Sequence, residues 1–185
     1  MKTILTALRL LAVFTVITGI LYPLSVWGVG RTFFRAKAEG SLITRDGRIV
    51  GSTLLAQKND DARYFHPRPS ASDFATVASG ASNQAWTSTR LATVIAERRT
   101  ALGGGDVPAD LLTASGSGLD PHLSPDAVIF QADRIAAARR LTLGQRHALD
   151  DLIARHVEGG KIGRAVVNIL ELNLALDAAF PPAHP

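Results

Sequence analysis

Thr113-Ala114-Ser115-Gly116-Ser117-Gly118-Leu119-Asp120-Pro121-His122 gathers hydroxyls, an acid and an imidazole in one short run. Several chemistries could use such residues. A phosphate cradle needs glycines followed by Lys and Ser or Thr, so that amides and an ammonium meet the phosphates. Here Gly118 is followed by Leu119 and Asp120, whose carboxylate would repel phosphate. A dinucleotide fingerprint also fails, for lack of a third glycine and a preceding strand. A nucleophile elbow needs G-x-S-x-G, but the residues flanking Gly116-Ser117-Gly118 are Ser115 and Leu119. A serine hydrolase would have to use Ser115 or Ser117 with His122 or His66. Asp120 and His122 also have a plainer role, in which the Asp side chain bonds nearby amides and Pro121 fixes the bend. The histidines are scattered and the acids lack EF-hand spacing, so no metal site is expected. The chain has no cysteine, which excludes disulfides and thiolate chemistry.

Tyr64-Phe65-His66-Pro67-Arg68-Pro69-Ser70 has a different character. Pro67 and Pro69 stiffen the backbone around Arg68, so the guanidinium is presented with little freedom to lose. Preordered Arg and aromatic groups suit a protein interface. The same residues suit a rigid surface turn whose aromatics plug the core.

The elements that must position these loops begin with an apolar run. Residues 10–30 contain no charge, and as a helix they would span about 31 Å, close to the hydrocarbon thickness of a bilayer. Tyr22 and Trp27 lie toward its C-terminal end, where interfacial aromatics belong, and Pro23 is expected to disturb the helix. A cleavable signal peptide would have Lys2 and Arg9 as its basic region and Ala36-Lys37-Ala38 as its cleavage site. The run is longer than a usual signal core, however, and favours a retained anchor. The expected organisation is a cytoplasmic tail at 1–9, a transmembrane helix at 10–30 and one extracytoplasmic domain at 31–185. Thr15, Gly19 and Tyr22 share a helical face, and Thr15-x-x-x-Gly19 is a small-residue pair that lets another helix approach.

Beyond the anchor, Asp46-Gly47 between two β-forming runs signals a hairpin. Residues 88–100 read as a helix ended by Gly103-Gly104-Gly105. Ser124-Pro125-Asp126 is a helix start, and Thr142 with Gln145 fits a capping box opening a helix stopped by Gly159-Gly160. Asn168 caps a last apolar helix, after a short strand at 165–167. The expected fold class is α+β: one N-terminal transmembrane helix and a small extracytoplasmic α+β domain. The net charge is +4 and Arg outnumbers Lys by 16 to 4, yet the basic residues form no stripe with interleaved aromatics, so nucleic acid is not an expected partner.

An ordered set of segments carries a further likeness. It comprises Tyr22-Pro23-Leu24, Gly40-Ser41-Leu42-Ile43, Gly51-Ser52, Tyr64 through Ala71, Ala78-Ser79-Gly80, Val107 through Leu111, Thr113 through His122, Val167-Asn168 and Glu171 through Leu176. With these the chain resembles the C subunit of the Kdp potassium-transporting P-type ATPase of bacterial and archaeal plasma membranes. It departs from that pattern at 81–89, where only Ser82-Asn83 survives of a Gly-Ser-Asn-Leu-Gly-Pro-Ser-Asn-Pro-like stretch. The resemblance implies a non-catalytic accessory subunit of a high-affinity potassium import complex. Its partners would be a channel-like potassium-binding subunit, a P-type ATPase subunit and the lipid bilayer. It also implies a catalytic chaperone that raises ATP affinity; ATP is implied by the resemblance alone, with no residue set to hold it. On this reading His66, Arg68, Ser115, Gly116, Gly118, Asp120 and His122 are partner-interface candidates, and no residue is expected to be catalytic. A membrane-tethered serine hydrolase and a secreted binding module are the alternatives.

Overall fold

A computed structural model describes residues 2–45 and 47–181. The chain divides into two compact units, residues 1–50 and 51–185.

The first unit is dominated by α1, Lys2–Phe33, whose length and composition suffice to cross a membrane and none of which is buried within the protein. A helix that is apolar all round and packs on nothing of its own needs an apolar solvent. Several of its hydroxyls bond back to the preceding turn: Thr18 Oγ1 donates to the Phe14 carbonyl and Ser25 Oγ to the Leu21 carbonyl. The disturbance expected at Pro23 takes the form of a π turn at Ile17–Leu21, just ahead of it. Pro23 has no N–H to give the preceding turn, and the wider turn accommodates that loss. A short helix α2, Arg35–Ala38, follows, with Arg35 paired to Glu39. Strands β1, Leu42–Arg45, and β2, Arg48–Ser52, form a two-stranded sheet. Of the hairpin turn expected between them, Gly47 has φ +73°, and Asp46 lies outside the described residues.

The second unit holds α3 (Thr89–Ala101), α4 (Ala109–Leu112), β3 (His122–Leu123), α5 (Pro125–Ala138), α6 (Leu143–Arg155), β4 (Val157–Gly159), β5 (Ala165–Asn168) and α7 (Ile169–Ala179). Its sheet has the order β3-β5-β4 and both pairings are antiparallel, with His122 opposite Asn168 and Val157 opposite Val167. The fold class is therefore α+β, as expected.

The helix signals hold. Ser88 Oγ accepts from Leu91 N at the start of α3, and Thr142 and Gln145 complete the capping box of α6. Asn168 Oδ1 accepts from both Leu170 N and Glu171 N at the start of α7. α5 starts at Pro125 as expected, but the Ser124 hydroxyl makes no cap bond; the Ser124 amide instead donates to Asp110 Oδ2. α6 ends at Arg155, short of Gly159-Gly160, because residues 157–159 pair with β5 as strand β4.

The apolar faces of α5, α6 and α7 meet over β5. Val128, Ala132, Ile135, Leu149, Ile153, Val167, Leu172 and Leu176 make one core, into which Phe65 from the long 53–88 segment is fully inserted. That segment has no helix or strand, so something other than backbone ladders must hold it.

Candidate partner-binding site

Side-chain amides and guanidiniums do that holding. Asn173 of α7 accepts from Phe65 N at 2.9 Å and donates to Phe65 O at 2.9 Å. Gln131 of α5 does the same to the next residue, accepting from His66 N at 2.9 Å and donating to His66 O at 3.1 Å. Each carboxamide thus replaces one rung of a missing strand, and the buried backbone groups are paired as they must be. Arg134 donates to the carbonyls of Ala62 and Tyr64 and to Gln131 Oε1. Arg139, its side chain 1% exposed, donates to Arg63 O and Phe180 O and pairs with Asp177 at 2.8 Å. Its guanidinium also lies 4.8 Å from the Tyr64 ring, a cation–π contact. Both aromatics of this run therefore serve the core, while Pro67, Arg68 and Pro69 are partly exposed beside it.

The 113–122 loop locks against this segment. Ser115 is buried, and its amide donates to Pro69 O at 3.1 Å. Gly118 has φ +71°, and a Cβ there would stand 2.9 Å from Gly80 O and 2.7 Å from Ser72 Oγ. Toward the loop's end, Leu119 O accepts from Ala56 N and Pro121 O accepts from Ile169 N. Ser117 Oγ accepts from Leu119 N, and Asp120 Oδ1 accepts from His122 N. The turn chemistry read for Asp120 is thus present. The run is a shaped connector whose last residue, His122, begins β3.

Of the residues expected at a partner interface, Arg68, Asp120 and His122 come together. Arg68 Nη1 is 3.5 Å from Asp120 Oδ2, and His122 Nδ1 is 3.4 Å from Asp120 Oδ1. Ser115 and Gly118 lie behind them as packing, while around Gly116 a Cβ would meet nothing. His66 is turned inward, with its ring Nε2–H donating to Asp61 O at 3.0 Å. Burial lowers its pKa, the bond to Asp61 O and the nearby Asp60 and Asp61 charges oppose that shift, and the Arg134 charge adds to it. Asp61 is held down at about 2, chiefly by its side-chain bond to Arg63 and by the bond from the Arg63 amide. Burial works against ionisation of Asp110, but the Ser124 bonds and the charges of Arg68 and Arg164 outweigh it and keep its carboxyl below the usual range.

Beside this cluster a groove of about 540 Å³ opens between the 59–74 segment, α3 and α5. Phe74, Leu102, Leu111 and Phe130 give it apolar walls, and Arg68, Arg98 and Arg134 bring three guanidiniums to it. Burial lowers the pKa of both Arg98 and Arg134. On α1, Gly19 has open space where a Cβ would be, and Tyr22 is exposed. Thr15 lies just before the π turn that runs through Gly19.

A family model described as K+-transporting ATPase, c chain, matches residues 4–178. The chain belongs to the KdpC family. It is 46% identical to the potassium-transporting ATPase KdpC subunit of Leptospira interrogans, over 94% of this chain and 93% of the relative. It is 45% identical to that of Rhodospirillum rubrum over 100% of both chains, and 48% identical to that of Pseudomonas syringae pv. tomato over 92% of this chain and 90% of the relative.

Among the described residues, two of the groove's guanidiniums and its carboxamide already bond within the chain, a poor fit to a nucleoside triphosphate. Gln131, which lines the groove from α5, has its amide fully occupied by His66, Ala127 and Arg134. Arg134 and Arg98 have turned donors to backbone carbonyls. Sequence reasoning missed Asp110, Thr113, Arg98, Arg139 and Asn173. Their partners lie as far as 108 positions away, as for Phe65 and Asn173, and no local spacing encodes such a pair.

Proposed function

We propose that this chain is a non-catalytic accessory subunit of an ATP-driven, high-affinity potassium import complex. It docks beside a channel-like potassium-binding subunit and a P-type ATPase subunit, and it is needed for their assembly. α1 anchors it in the plasma membrane with the N-terminus in the cytoplasm and the domain outside. Its effect on ATP affinity is exerted through subunit contact, as a catalytic chaperone, since its own side chains offer no phosphate cradle.

What carries this role is the family match across residues 4–178. The wholly unburied apolar helix supports it, because such a surface requires lipid or other membrane helices around it. The Arg68–Asp120–His122 cluster supports a docking role for the domain, being partly exposed and built on a rigid loop pair.

Deleting the chain and assaying potassium-stimulated ATP hydrolysis by the remaining subunits tests the proposal. Hydrolysis is expected to be lost, and supplying the chain in trans to restore it with a lowered KM for ATP. Full activity of the remaining subunits alone would reject the role.

A further inference from the structure

Arg68 stands apart from the other guanidiniums of the groove. Arg98 donates to Leu112 O at 2.7 Å, and Arg134 donates to two carbonyls and to Gln131. The contacts of Arg68 are long: 3.5 Å to Asp120 and 3.4 Å to Thr113 Oγ1. Its Nε is buried and has no hydrogen-bond partner among the described residues. A guanidinium presents its donors as a rigid fork that matches a carboxylate edge, and a buried donor left without an acceptor is costly. Pro67 and Pro69 hold the backbone on either side of Arg68, which fixes the point from which its side chain extends.

We propose that this groove receives an acidic side chain with an apolar neighbour, presented by another subunit of the complex, its carboxylate bonding Arg68. The proposal rests on the accessory-subunit role proposed above. The number of spare donors decides the occupant's charge. Among the described residues Arg68 Nε is a buried donor without an acceptor, which gives a seat for one carboxylate edge. Asp60 also lines the groove and disfavours a multiply charged anion. The walls of Phe74, Leu102, Leu111 and Phe130 suit an aliphatic or aromatic residue next to the acid. Charge and apolar surface are therefore matched to a short acidic-apolar segment of polypeptide.

The test uses the intact complex purified in detergent. Arg68→Lys keeps the charge and supplies an amine that a water-soluble carbodiimide couples to a carboxylate it touches. Mass spectrometry is expected to map an amide from position 68 to an Asp or Glu of another subunit. Coupling only to Asp120 or Asp110 of the same chain, or no coupling in a complex that still co-purifies, overturns the proposal. Ala101→Trp, at the exposed end of α3, adds bulk to the groove's lining while leaving residue 68 unsubstituted. It is expected to abolish the coupling and lower recovery of the partner subunits by about tenfold; undiminished recovery overturns the proposal. Coupling suppressed by saturating ATP would assign the groove to a nucleotide and overturn it as well. If the unaltered chain recovers no potassium-transport subunit at all, the accessory-subunit role itself fails, which is a separate result from a missing cross-link.

Discussion

His66 shows what the rigid segment demands of a single residue. Its backbone is clamped by Gln131, its ring donates to Asp61 O, and burial favours the neutral imidazole. The groups that bear on the ring's charge are Asp60, Asp61 and Arg134. The folded pKa lies below the unfolded one, so between the two the unfolded chain binds the extra proton. The stability that His66 contributes is complete above about pH 6.5, the unfolded value, and is lost as pH falls toward the folded pKa. Asp61 does not confuse this window: its pKa is lowered to about 2, so its smaller, largely solvent-screened contribution goes only in stronger acid. Denaturant midpoints of the full chain in detergent are therefore expected to fall from pH 7.5 to 5.5. His66→Gln keeps a donor for Asp61 O and cannot titrate, so it is expected to flatten that slope. An unchanged slope would place the pH dependence elsewhere.

At the scale of elements, the 113–122 loop and the 64–80 segment are one mechanical unit, and Gly118 is where they touch most closely. Its left-handed backbone costs any other residue about 1–2 kcal/mol, and a Cβ would press on Gly80 O at 2.9 Å, which is backbone and cannot rotate away. Gly118→Ala is expected to destabilise the chain by at least about 2 kcal/mol and to open the 70–80 stretch to protease. Gly116→Ala, facing open space two residues earlier, is expected to change stability by less than about 0.5 kcal/mol. Equal effects at both glycines would show that the loop does not pack as described. The two glycines look alike in sequence, because the difference lies in a neighbour 38 residues away. What could be read along the chain was whatever is local: the apolar span, the helix near 88–100, the caps at Thr142 and Asn168, and the strand before α7. β4 was hidden because three residues show no period and a double glycine reads as a stop. β3 was hidden because the Asp-Pro-His turn dominates its two residues. The interface candidates were half legible. Arg68 between two prolines declared itself, whereas the Asp120 contact and the Asn173 and Gln131 clamps depend on tertiary pairing.

At the scale of the whole molecule, the open matter is which side of the membrane each unit occupies, and charge does not decide it. Lys2 and Arg9 precede the apolar run, while Arg31, Arg35 and Lys37 follow it, so the two flanks nearly balance under the positive-inside rule. The proposed arrangement puts residues of the second unit outside the cytoplasm. The chain contains no cysteine, so a single introduced thiol reports its own position without background. Ile162, 97% exposed in the 160–164 turn between β4 and β5, carries no packing role and should accept the change. In right-side-out spheroplasts, Ile162→Cys is expected to react with a membrane-impermeant maleimide before the membrane is opened, and Thr3→Cys only after it. The reverse pattern would place the domain in the cytoplasm, where the groove around Arg68 would face the ATPase subunit's cytosolic parts and not the potassium entrance. Labelling at both positions in sealed spheroplasts would mean that α1 does not span the bilayer. Because the fold, the groove and the domain's internal pairings are the same in all three cases, this one measurement separates where the subunit acts from how it is built.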